Sequence, residues 1–92
     1  MKREWEQTQY QLDHKAVIEA AKEAREQEIH RVLEIVMQAS EEKGYDPLPQ
    51  IIGYLLTEDP IYITSHNDAR KMICRLDRFE IMTAILKRYY NK

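Results

Sequence analysis

Four cations lie close together in the last third of the chain: Arg70, Lys71, Arg75 and Arg78. Guanidinium and ammonium groups at this density suit a docking surface for carboxylates or for a phosphorylated segment. The plainer alternative is a solvated face with ordinary ion pairs to Asp68, Asp77 and Glu80. Other residues able to do chemistry are sparse. His14, His30 and His66 show no i,i+4 partnering, and a His66/Asp68 pair has no third ligand nearby, so no metal site is expected. Cys74 is the only cysteine, which excludes an intramolecular disulfide and a multi-cysteine zinc site. Beside Ile73, it is expected to pack as a small apolar residue. A glycine-rich phosphate loop, a Ser-His-Asp order and paired catalytic carboxylates are all missing from the sequence, so neither enzymatic activity nor a cofactor is expected.

The elements that must position these residues are helical. Of 92 residues, 43% are hydrophobic and 33% charged, enough apolar material for one small core. The two glycines and three prolines all fall between residues 44 and 60, and strand signals are scarce. Residues 1–13 read as a polar N-terminal arm, with 14–92 as a single helical domain. Asp13 caps a long helix over Lys15–Lys43 whose stripe is Ile18, Ala21, Ile29, Val32, Leu33, Val36 and Ala39. The stripe thins between Ala24 and Glu28, so the first half is expected to pack less. Gly44 ends this helix in the left-handed conformation.

Asp46-Pro47 opens a second helix, apolar nearly all round and therefore expected to be central; Gly53 within it points to close approach of another backbone. Glu58-Asp59-Pro60 is a turn. A third helix is expected from His66 to about Arg75, burying Ala69, Met72, Ile73 and Leu76. Asp77 caps a fourth, with Glu80 as capping-box partner and a stripe of Phe79, Ile81, Met82, Ile85, Leu86 and Tyr89. The fold class is thus all-α, one long N-terminal helix followed by three shorter ones. A lone monomer of this size would be marginal, and so apolar a second helix has more surface than it can hide. A compact homodimer follows, centred on Ile51, Ile52, Tyr54, Leu55 and Leu56 packed on Ile81, Ile85 and Leu86. Tyr45, Tyr62, Tyr89 and Tyr90 are expected as core or interface aromatics.

The net charge of −2 gives no attraction to nucleic acid or anionic lipid. The longest apolar run, Ile51–Leu56, is far short of a membrane span, and the N-terminal residues lack the hydrophobic stretch of a signal peptide. With a single thiol, the simplest location is cytoplasmic. Helices at 47–57 and 66–75 have tolerable lengths for a helix-turn-helix, but an over-apolar first helix, a linker holding Asp59-Pro60 and the negative charge all argue against it.

From residue 33 to 90 an ordered set of motifs resembles the IreB/ReoM family of small regulatory phosphoproteins from Gram-positive bacteria. The residues that carry it are Glu42-Lys43-Gly44-Tyr45-Asp46-Pro47, Gln50-Ile51-Ile52-Gly53-Tyr54-Leu55-Leu56, Asp59-Pro60-Ile61-Tyr62-Ile63, Asp68-Ala69-Arg70 and Arg75-Leu76-Asp77-Arg78 ahead of Glu80-Ile81. The resemblance implies a cytoplasmic all-helical homodimer without catalysis, a substrate of a PASTA-type Ser/Thr kinase. It implies control of Clp-dependent turnover of the first committed peptidoglycan-synthesis enzyme, an enolpyruvyl transferase, and hence of cell-wall synthesis and β-lactam tolerance. The family's phosphoacceptor carries over to Thr8 within Glu6-Gln7-Thr8-Gln9-Tyr10, and the partner surface to Arg70, Arg75 and Arg78. A phosphate on Thr8 would add close to two negative charges, able to pair with cations on the body or to repel the Glu-rich long helix. Two departures stand out: Thr64-Ser65 replace a basic residue, and Cys74 stands where an arginine is common. The alternatives are a helix-turn-helix nucleic-acid module and a purely structural interaction domain.

Overall fold

A computed structural model describes residues 4–91, with side chains from His14 onward. Helix α1 (Glu4–Glu42) is followed by α2 (Pro47–Thr57), a 3-10 turn at Pro60–Tyr62, another at His66–Asp68, α3 (Ala69–Cys74) and α4 (Arg78–Tyr90). No strand occurs among the described residues, so the all-α expectation holds. Helix α1 begins at Glu4, so the expected start after an Asp13 cap is corrected: the backbone from 4 to 13, read as an arm, already belongs to the helix. The side chain of Thr8 lies outside the described side chains.

The caps follow from local chemistry. Gly44 adopts φ +83° just past the end of α1. Asp46 accepts from the Leu48 backbone N–H at 3.1 Å, with Pro47 in the first turn of α2. Asp77 accepts from the Glu80 N–H at 3.0 Å and starts α4. At both aspartates the side chain meets a donor that the first turn of the helix leaves free.

The core sits on the second half of α1. Ile29, Val32, Leu33, Val36 and Ala39 are buried together with Ile51, Tyr54, Ile63, Ala69, Ile73, Ile81 and Ala84. Every side chain described from His14 to Arg25 is exposed, as the thinning stripe implies. Each of α2, α3 and α4 packs on α1, which makes α1 the centre in place of α2. In α2 only Ile51 and Tyr54 are buried, while Ile52 and Leu56 are exposed. On the last helix Ile81 is buried, but Ile85 and Leu86 are not. The expected α2–α4 seam is therefore replaced within the chain by two helices leaning separately on α1. One long stripe can cover several short partners only by exposing the far side of each.

Further expectations are refined. The third helix is broken: Asn67 and Asp68 sit at φ 55° and 60°, leaving a 3-10 turn and a six-residue α3. Met72 and Leu76 are only half-buried. Close approach at Gly53 comes from a side chain, because a Cβ there would land inside contact distance of the Tyr62 ring. Cys74 is exposed and is not a core residue beside Ile73. Among the tyrosines, Tyr54 is in the core, and Tyr45, Tyr62, Tyr89 and Tyr90 are exposed.

Candidate functional site

The three arginines assigned to partner binding do different things. Arg70 donates from Nε to the carbonyl oxygen of Ile63 at 2.9 Å, and its own backbone N–H bonds to Thr64. This ties α3 to the chain entering it and helps hold the left-handed Asn67-Asp68 pair in between. Arg78 donates to the Leu55 carbonyl at 2.6 Å and pairs with Glu58 at 2.9 Å. Its guanidinium thus satisfies a carbonyl in the last turn of α2, an end that lacks intrahelical donors and favours positive charge. Arg75 is exposed and makes no ion pair or side-chain hydrogen bond among the described residues. The four cations of this segment therefore divide into two half-buried braces, Arg70 and Arg78, and two solvated charges, Lys71 and Arg75.

Around them the two departures from the family motif, Ser65 and Cys74, are both exposed. His66 Nε2 lies 2.7 Å from the Glu42 carboxylate, which also accepts from Asn67 Nδ2 at 3.3 Å, so the end of α1 is joined to the turn before α3. No group of three His, Cys, Asp or Glu side chains arranged for a metal ion occurs among the described residues. Tyr54 is buried beneath this region; burial, then a hydrogen bond with Cys74, pushes its phenol up to about 12. A helix-turn-helix would need α3 as its recognition helix, and six residues behind a left-handed kink make a poor one.

The second feature is apolar. Between α2 and α4, floored by Leu33 and Met37 of α1, runs an open groove of about 470 Å³ walled by Leu48, Ile52, Met82 and Leu86. It adjoins a second depression along α4, which shares Met82 and Leu86 and adds Phe79 and Tyr90. At 3.6 residues per turn, Met82, Leu86, Phe79 and Tyr90 form an arc on the side of α4 turned away from the core-facing Ile81 and Ala84. Phe79 is 74% exposed, Leu86 67% and Ile52 54%. Leu48, Phe79 and Met82 were absent from the residues expected at an interface. The width of the α4 stripe, broader than one buried seam requires, was the signal that pointed to Phe79 and Met82. On the opposite flank of α4, Lys87 pairs with Glu26 at 3.0 Å and Glu80 with Arg25 at 3.7 Å, fastening α4 to α1.

Thr8 lies outside the described side chains and just ahead of the stretch that matches a family model. That model, described as IreB regulatory phosphoprotein, matches residues 13–91. It spans most of the chain, including the Asp46 and Asp77 caps, the Arg70 and Arg78 braces and the groove between α2 and α4. The chain belongs to the IreB family of regulatory phosphoproteins.

Proposed function

We propose that the protein is a non-enzymatic regulatory adaptor, cytoplasmic and homodimeric, phosphorylated on Thr8 by a PASTA-type Ser/Thr kinase. In the unphosphorylated state it promotes Clp-dependent turnover of the enolpyruvyl transferase that commits precursors to peptidoglycan. Phosphorylation relieves this, raising cell-wall synthesis and β-lactam tolerance. The observation that carries the reading is the family match across residues 13–91. Two structural features support it: an apolar groove and arc that suit a second copy of the chain, and a cationic segment between α2 and α4 that suits a protein partner. Phosphate on Thr8 would act by charge, adding close to two negative charges and three acceptor oxygens at the head of the molecule.

The test is incubation with a PASTA-type kinase followed by mass spectrometry, using the native chain and Thr8→Ala. Modification of Thr8 in the native chain and its loss in the variant support the assignment. Equal modification of both refutes it. Co-purification of the native chain with the transferase and the Clp ATPase, weakened by Thr8→Glu, tests the adaptor role.

A further inference from the structure

We propose that Glu42, His66 and Asn67 form a proton-sensitive clasp that holds the turn entering α3 in one of two conformations open to it. The inference is independent of the adaptor reading. Asn67 and Asp68 stand at φ 55° and 60°, side-chain-bearing neighbours that are both left-handed. Such residues cost free energy that their surroundings must offset. Asp68 occupies the N-cap position of α3, yet its carboxylate makes no capping bond. Asp46, Asp59 and Asp77 behave differently: each has extended backbone and accepts from an N–H of the turn it opens. At the head of α3 the donors go instead to carbonyls of the preceding turn, Ala69 N–H to His66 and Arg70 N–H to Thr64 at 3.0 Å. The second conformation is therefore one in which Asp68 relaxes to extended backbone and caps α3 with its own carboxylate.

The observed conformation is held from α1. Among the described residues, the side-chain polar contacts joining this turn to α1 converge on one carboxylate: Glu42 takes His66 Nε2 at 2.7 Å and the Asn67 amide at 3.3 Å. Gln38 donates to its other oxygen at 3.4 Å. The last turn of α1 contains Glu41 and Glu42 and no basic residue, and a helix C-terminus is itself partially negative. A protonated His66 is thus favoured there. Of the other charged groups nearby in the chain, Lys43 follows Glu42, Asp68 lies in the turn and Arg70 directs its Nε to the Ile63 carbonyl; none of the three is ion-paired with His66 or Glu42 among the described residues. Between the carboxylate and histidine ranges both partners are charged and the clasp is strongest. As pH rises through the histidine range the imidazole loses its charge, and the released conformation gains population. Both side chains are partly exposed, so the change is a few-fold one and shrinks with salt.

The test measures amide exchange of the full chain by NMR at about pH 5.5 and 7.5, on either side of the ordinary histidine range. The Arg70 amide is the reporter and Val36, buried in α1, the reference. At low salt, protection of Arg70 relative to Val36 should be about threefold greater at the lower pH, and this ratio should fall to about one in His66→Gln and in Glu42→Gln. Asp68→Gly favours the left-handed backbone and deletes the competing cap, so it should raise Arg70 protection at the higher pH. A native ratio of one, a ratio that survives in both glutamine variants, or lower protection in Asp68→Gly overturns the proposal. If the variants do not fold, the native chain decides: a ratio that collapses at about 0.5 M salt supports the clasp, and one that persists overturns it.

Discussion

Arg78, the first residue of α4, reaches across to Leu55 and hydrogen-bonds its carbonyl oxygen at 2.6 Å, while the same guanidinium pairs with Glu58 at 2.9 Å. One side chain thereby closes the end of α2 and anchors the start of α4. Arg78→Gln should lower stability by about 1–2 kcal/mol, since it removes a charge-assisted bond to a half-buried carbonyl. Urea unfolding followed by circular dichroism checks this; Arg78→Lys, a point charge without the planar fork, should recover only part of the loss.

Gly53→Ala sets two effects against each other. Alanine gains about 1 kcal/mol of helix propensity over glycine. Its methyl group would collide with the Tyr62 ring, and overpacking of this kind costs about 1–3 kcal/mol. The single variant should be less stable than the native chain. With Tyr62→Ala already present the same change should become stabilising, and a double-mutant cycle of unfolding free energies measures that reversal.

Ser40 is fully buried, and its hydroxyl has no hydrogen-bond partner among the described residues. Removing an unpartnered hydroxyl from a core and placing alanine in a helix both favour the fold. Ser40→Ala should raise the unfolding free energy by up to about 1 kcal/mol. A measured loss of 1 kcal/mol or more would mean the hydroxyl is satisfied in solution.

Tyr54 titrates at about 12 in the fold because burial, and then Cys74, disfavour the phenolate. A free phenol titrates near 10. Below about pH 10 both folded and unfolded forms are neutral, and the contribution of this group to stability is intact. As pH rises from about 10 to 12 the unfolded chain releases its proton first, so stability falls. Tyr54→Phe should therefore flatten the alkaline limb of the stability–pH curve in that window, although losing the hydroxyl shifts its level.

Ile52 and Leu86 face the groove between α2 and α4 and are exposed within one chain. Ile52→Glu or Leu86→Glu should change the stability of an isolated subunit by no more than about 0.5 kcal/mol. In a homodimer built on this face, the same changes would bury an unpaired carboxylate. Sedimentation at micromolar concentration should show the native chain as a dimer and the variants as monomers. A native monomer would remove the dimer from the proposed function.

The amino-acid sequence by itself determined the helical class, the cap residues Asp46 and Asp77, the stop at Gly44 and the core stripe from Ile29 to Ala39. Each of these depends on chemistry within three or four residues, where a carboxylate meets a free N–H or an apolar side chain recurs on one face. Only the tertiary structure decided which face of α2 and α4 is covered, that Cys74 is exposed, and what crowds Gly53. It also separated Arg70 and Arg78, which brace the backbone, from Lys71 and Arg75, which stay in water. Those outcomes rest on partners distant in sequence: Leu55 and Arg78 are 23 residues apart, and Lys87 finds Glu26 across 61. Local propensity carries no record of such pairings, because they exist only once α1 has gathered the three shorter helices along its length.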